Sequence, residues 1–409
     1  MKIHYLPLAL LVVLISVVVL FPLNAEAQNP QSVSILKWSP DGDLIAGGDD
    51  LGFLRIWDAK TGETILQFQA HRSIVTSLSW SADGTRLASV SPDEAVVRIW
   101  NTNNGQAISE LQAERGYEGL SYVAWNPKRD LLVNVATVID GGSSLRFWNA
   151  ADESYELLPI SYDVSAYDIA WSPDGTRLGV ADSRGVYIFS NFTSAEMEPH
   201  VLAPFAPSIA WSPDSSKLAT VDVMAGIIRI LAVGTGEVLM TFQGPPRDLE
   251  HGIASIAWSP DGIQLASDGF DGSTQIWNSI TGELVETILL SRGGGRGLMS
   301  WSPYGGRLAL GSAPSGASAI ARSNVSGVTT QNIADGAVQI VVPAPSLERL
   351  QAIADACNAP STVERLLPTS EAAGQLSTFV SGVEALPQDT IPPACAADLM
   401  AVAEALQSQ

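Results

Sequence analysis

Short apolar runs of four to seven residues recur along the chain, bounded by Gly, Pro and Asp. Many alternate apolar with polar, and others are apolar throughout, which predicts antiparallel strands packed between neighbouring sheets. The stretch from Ser255 to Leu290 shows the unit. Ser255 to Trp258 is a first strand, Pro260-Asp261-Gly262 has hairpin-turn chemistry, and Gln264 to Ser267 is a second strand. Asp271-Gly272 punctuates, Ser273 to Trp277 is a third, and Thr281-Gly282-Glu283 turns into a fourth from Leu284 to Leu290. The same order reads from Val75 to Leu111 and, with substitutions, in every other unit.

All eleven tryptophans sit on two positions of this unit. Seven close the first strand: Trp38, Trp80, Trp125, Trp171, Trp211, Trp258 and Trp301, at gaps of 42, 45, 46, 40, 47 and 43 residues. Four end the third: Trp57, Trp100, Trp148 and Trp277. A period in the low forties marks a stacked array of four-stranded units. One such sheet cannot bury both faces alone, whereas seven in a ring can. The expected fold is therefore an all-β seven-bladed β-propeller over residues 31–342.

With Ile56-Trp57-Asp58, Ile99-Trp100-Asn101 and Ile276-Trp277-Asn278, the chain resembles the WD40 repeat family. The resemblance implies a propeller scaffold that binds proteins. Departures are visible too. Phe189, Leu231 and Ile320 stand where the third-strand tryptophan would be in the fourth, fifth and seventh units. His71 lies nine residues before Trp80, at the family spacing, but His251 lies seven before Trp258. Asp271 is placed like the family's structural aspartate, where the first two units carry Leu51 and Glu94. The resemblance thus implies a His-Asp-Ser-Trp hydrogen-bond network that is incomplete in most blades. In the seventh unit Gly327 to Ile333 fits a fourth strand. The run Ala337 to Val342 is left over, either to pair with the first blade or to form a stiff exit.

After Pro343-Ala344-Pro345 the period becomes helical. Leu347, Leu350, Ile353 and Cys357 share a face, as do Leu376, Phe379, Val380, Val383 and Leu386. Cys395, Leu399, Val402, Ala403 and Leu406 form a third set after Pro392-Pro393. A small α-helical domain of three helices is expected over 346–409, with a short fourth helix near Val363. The only two cysteines, Cys357 and Cys395, both fall there. A bridge between them would contribute roughly 3 to 4 kcal/mol to so small a core. Two buried free thiols are the alternative.

Residues 1–27 read as a leader. Leu6 to Leu23 carries no charge, and Ala25-Glu26-Ala27 gives a small-x-small cleavage pattern with Gln28 as the mature start. At 18 residues the apolar stretch also suffices for an uncleaved membrane anchor. Both readings export the rest of the chain, into an oxidising compartment that favours the disulfide.

Composition narrows the function. The net charge of −21 excludes nucleic acid, which needs a basic stripe, and docking on anionic lipid. No membrane contact is expected beyond the N-terminal anchor. The mature chain has three histidines, His71, His200 and His251, far apart in sequence, and no metalloprotease or nucleophile-elbow motif. No cofactor, metal or catalysis is expected. Ser291 to Gly297 is glycine-rich but lacks a phosphate-loop ending, and Asp41 to Asp50 lacks calcium-loop spacing.

Binding is the remaining class. The connections between successive blades emerge on one face and carry Arg72, Arg115, Tyr117, Tyr162, Phe205, Arg247, His251, Arg292 and Arg296. Arginine and tyrosine anchor interfaces through forked hydrogen bonds and rigid apolar area, so a protein or peptide partner is expected there. A glycan or small ligand at the channel mouth is the alternative. The loops between second and third strands reach the same face with Asp49, Asp50, Asp93, Glu94, Asp140, Asp182, Asp268 and Asp271, so internal pairing is a competing use of the arginines. The opposite face, with Asp41, Asp83, Asp174, Asp214, Asp261 and Glu283 in its turns, is expected to be solvated.

Overall fold

The computed structural model describes residues 33–408 except 113–116, 139–142, 151–154, 163–165, 191–199, 204–205, 224, 244–252, 270–271, 290–297, 312–329, 334–337, 344, 371–372 and 388–389. For some strand residues, Tyr117 and Tyr162 among them, it describes the backbone alone. The strands form seven four-stranded antiparallel sheets, the blades of a propeller. Blade 1 runs outward from its inner strand Val33–Trp38 through Leu44–Asp49 and Phe53–Asp58 to Thr64–Gln69. The other inner strands are Ser77–Trp80, Tyr117–Trp125, Ala166–Trp171, Ile209–Trp211, Ile253–Trp258 and Met299–Trp301, and inner strands of neighbouring blades pack together around a central channel.

Five of the seven inner strands turn back through one recurring device. Ser39 Oγ donates to Asp41 and accepts the Leu44 N–H at 2.9 Å, while Gly42 takes a φ of 77°. Only glycine reaches that region without strain, which explains the Asp-Gly pair. Ser81, Ser172, Ser212 and Ser259 donate to the aspartate two residues on in the same way.

The first-strand tryptophan is the joint between blades. The indole N–H of Trp80 donates to Lys37 O at 3.2 Å, Trp171 to Ala124 O at 3.1 Å, Trp211 to Ala170 O at 2.9 Å and Trp301 to Ala257 O at 3.1 Å. In each case the acceptor is the residue before the preceding blade's own tryptophan. Burying a ring of roughly 200 Å² contributes about 5 kcal/mol, so the apolar area outweighs the single hydrogen bond. An arginine beginning the preceding blade's second strand covers the exposed ring face: Arg86 over Trp125 at 4.7 Å, Arg177 over Trp211 at 5.5 Å and Arg307 over Trp38 at 4.7 Å. The last pair closes the ring, joined by Trp38 N–H to Ser300 Oγ at 3.1 Å.

Blade 7 corrects the reading of its own sequence. Thr330–Ile333 is indeed the outermost strand, but Val338–Val341 is no extra run. It inserts as the third strand, paired with both Leu308–Gly311 and Thr330–Ile333. Val341 pairs with Leu308 as Trp277 pairs with Leu265, so Val341 holds the position assigned from sequence to Ile320, which lies outside the described residues. Burial is the cause: the four residues Val338 to Val341 are all buried, a place the polar Thr330-Gln331-Asn332 cannot take.

The chain then leaves blade 7 on the turn face and forms the helices α1 (Leu347–Ala356), α2 (Ser361–Glu364), α3 (Ala373–Glu384) and α4 (Pro393–Gln407). The expected apolar faces meet in one core, with Leu350, Ile353, Leu376, Phe379, Leu399 and Val402 at most 1% exposed. Cys357 and Cys395 are bridged, Cα atoms 6.1 Å apart, joining α1 to α4.

This module is seated on the propeller, so the turn face is not wholly solvated as expected. In blade 7 Tyr304 replaces the turn aspartate, and Asp398 of α4 supplies the missing carboxylate. It accepts Ser302 Oγ at 2.7 Å, Gly306 N–H at 3.2 Å and Arg307 Nε at 2.7 Å. In blade 6 Gln264 stands where an arginine would cover the next tryptophan, and Arg349 of α1 lies 5.7 Å over Trp301 instead. Its Nε donates to Asp261 at 3.2 Å, and its other nitrogens to the carbonyls of Pro343 and Gly305. Both Arg349 and Asp398 are 0% exposed. The helices complete two sites that the repeats leave unfinished.

Candidate functional site

With the helices on the turn face, the loop face is where a partner-binding site was expected. Arg72 stands there with its side chain 93% exposed, 3.8 Å from Glu94 Oε1. Tyr117 opens the inner strand of blade 3 and Tyr162 ends its outer strand, so the backbone brings both to this face at opposite edges of one sheet. Arg115, Phe205, Arg247, His251, Arg292 and Arg296 lie outside the described residues, as do Ala27 and Gln28.

Beneath Arg72 lies a buried polar relay. His71 Nε2 meets Ser89 Oγ at 2.7 Å, and that hydroxyl accepts the Trp100 indole N–H at 2.8 Å. His71 Nδ1 meets Glu94, which also accepts Arg98; Arg98 reaches Glu110 at 2.8 Å. Burial holds the His71 imidazole below its ordinary range. Burial pushes the Glu94 carboxyl up, but hydrogen bonds from Arg98 and His71 outweigh it and leave it lowered. The relay fixes the loop carrying Arg72 to the third strand of blade 2, Val96–Asn101.

Three acids of the second-to-third-strand loops serve their own hairpins. Asp49 accepts Leu51 N–H at 3.0 Å and Phe53 N–H at 2.8 Å, and pairs with Arg55 at 3.0 Å. Asp182 accepts Arg184 N–H at 2.7 Å and Gly185 N–H at 2.9 Å, and Asp268 accepts Thr274 Oγ1 at 3.2 Å. Asp41 and Asp49 lie at opposite ends of Leu44–Asp49, so the Asp-rich segment does not converge on one cation.

Comparison with known proteins bears on these repeats. The family described as WD domain, G-beta repeat matches residues 62–101 and 236–278, and the anaphase-promoting complex subunit 4 WD40 domain matches 15–76. The matched segments are WD40 repeats, and they lie in a seven-bladed propeller. A solved structure of the Cps50 (Swd1) β-propeller domain of Myceliophteria thermophila superposes with a TM-score of 0.57, covering 70% of this chain and 95% of that one. At 19% identity it speaks for the fold alone. Among curated proteins, the pre-rRNA-processing protein IPI3 of Mycosarcoma maydis is 38% identical over 68 residues, 17% of this chain and 12% of its own length. The periodic tryptophan protein 2 homolog of Caenorhabditis elegans is 22% identical over 200 residues, 40% of this chain and 22% of its own. The matched segments thus span only a small part of these relatives.

Within the WD40 frame, the blade 2 relay is the family network with Glu94 in the aspartate's place. Blade 1 shows the cost of departure. Gly47 stands where blade 2 has Ser89, and the buried Trp57 indole N–H has no partner. Sequence reasoning missed Arg349 and Asp398. The signal was there: Tyr304 interrupts the Ser-Pro-Asp-Gly turn, and Gln264 interrupts the basic position opening the second strand.

Proposed function

We propose that this WD40 propeller is a non-catalytic interaction scaffold that holds a protein or peptide segment on its loop face, outside the cytoplasm. One observation carries the reading. The helical module occupies the turn face at blades 6 and 7, while Arg72 on the loop face projects almost fully into solvent from a loop pinned by buried hydrogen bonds. An exposed arginine on a pinned loop loses little backbone entropy on binding and anchors interfaces well. The bridged Cys357–Cys395 pair supports an oxidising location. The test is affinity capture from the native host's envelope and medium with residues 28–409. A parallel bait carries Arg72, Arg115, Arg247, Arg292 and Arg296 changed to Ala and retains its melting temperature. A partner held by the parent and lost by the variant supports the scaffold reading. Equal capture by both moves binding to another surface and defeats it.

A further inference from the structure

The central channel holds a feature that packing does not require. Its volume is about 850 Å³, and inner strands of all seven blades line it. That is within the range of small-molecule sites. Each inner strand is hydrogen-bonded to its sheet on one side only, and side chains of the neighbouring blades occupy many of the backbone groups on its other edge. At the level just before the inner tryptophan, six blades carry alanine or serine; only blade 1 departs, with Lys37. Small side chains make the channel wide at the height where the one long cation enters.

Lys37 is reached by water within the lumen yet ringed by protein. Its ammonium has no hydrogen bond or ion pair to the described residues. Loss of bulk solvation holds its pKa below the ordinary value, partly offset by the charge of Asp168 in the inner strand of blade 4. Asp168 has a structural task, accepting Ile209 N–H at 3.0 Å and Ser208 Oγ at 3.2 Å across the joint to blade 5. Ser77 and Ser208 bridge successive inner strands similarly, through the N–H groups of Val123 and Ile256. Ser255 holds the equivalent place in blade 6 and breaks the pattern: its Oγ is buried in the channel wall and has no partner among the described residues. An unpaired lysine and an aspartate on the wall of one lumen are more than a structural plug needs.

We propose that the channel binds a small zwitterion of amino-acid or short-peptide size, with its carboxylate on Lys37 and its ammonium toward Asp168. Charge selects this class. A simple anion would gain Lys37 but meet Asp168 and the field of a chain with net charge −21. A cation would gain the field but face the Lys37 ammonium. A molecule with both charges and no net charge avoids each penalty.

The test uses the full chain. Calorimetric titration with pooled α-amino acids and dipeptides is compared with their N-acetylated and amidated forms, on the parent and on Lys37→Met. Support is saturable binding that weakens at least about tenfold when either end is capped, and equally in Lys37→Met. A readout that needs no variant accompanies it: labelling of Lys37 by an amine-acylating reagent, measured by mass spectrometry, with the zwitterion protecting. The proposal is overturned if no zwitterion binds, if capped forms bind as well, if Lys37→Met binds undiminished, or if Lys37 labels at the same rate with ligand present.

Discussion

Asp398→Ala should unfasten the helical module and destabilise the propeller with it. The carboxylate is fully buried and accepts three hydrogen bonds, from Ser302, Gly306 and Arg307. Its ion-pair partner Arg307 has a side chain only 11% exposed and lies over Trp38, at the seam that closes the ring. Removing one partner of a buried pair costs about 3–5 kcal/mol, because a charge is left uncompensated. The orphaned Ser302 and Gly306 donors would add about 1–3 kcal/mol each if held in place, but undocking of α4 lets water reach them and caps the loss. We expect about 4 kcal/mol, a large share of the roughly 5–15 kcal/mol typical of a folded domain. With a urea m-value of about 3 kcal/mol/M the unfolding midpoint falls by roughly 1 M. Tryptophan fluorescence reports the blades and circular dichroism at the helical band reports α1, α3 and α4. The two transitions should shift together. The double variant Arg307→Met/Asp398→Leu, which removes both charges, should recover most of the loss. If Asp398→Ala leaves the fluorescence transition in place while only the helical signal weakens, the module is an appendage and the completion argument is wrong.

Three further outcomes follow from the geometry. Gly306→Ala puts a methyl 2.6 Å from Asp398 Cβ and 2.7 Å from its carbonyl oxygen, and should cost about 2–3 kcal/mol in urea unfolding. Gly84→Ala meets nothing within 3.6 Å and should cost only the roughly 1–2 kcal/mol of its 70° φ. Stability should fall on acidification below about pH 6.5, because the unfolded chain takes up a proton that buried His71 resists. The loss continues through the region below 4.5, the ordinary value from which Glu94 is lowered, and His71→Gln should flatten the first part of the profile. Replacing Cys357 and Cys395 by Ser opens a bridge of sequence separation 38 and should lower the helical module's stability by about 4 kcal/mol, matched by reduction of the parent.

The loop-face site was only partly legible beforehand. Loop position in the repeat placed Arg72 at the surface, and the spacing of His71 before Trp80 pointed to the family network, but only the structure shows Glu94 completing it with Ser89 and Trp100. The acids of neighbouring loops looked like partners for the arginines, and Glu94 does stand 3.8 Å from Arg72. Asp49 and Asp182 instead cap their own hairpins, because a carboxylate two to four residues from free N–H groups finds them before any distant cation.

What the sequence determined by itself is what short-range chemistry decides. Gly42 and its equivalents permit a turn, Ser39 and Asp41 close it, and alternation fixes which side chains enter the joints between blades. Such signals are complete within a few residues and repeat in five of the seven units. Only the tertiary structure decided the rest. Val338–Val341 enters blade 7 ahead of the strand that precedes it, because burial ranks strands by apolar content rather than chain order. Asp398 meets Ser302 across 96 positions, and Arg349 meets Asp261 across 88. In local sequence each is an ordinary charged residue on a short helix. What gives it meaning is a missing partner far along the chain, and the folded molecule brings the two together where neither can be left in a dry interior alone.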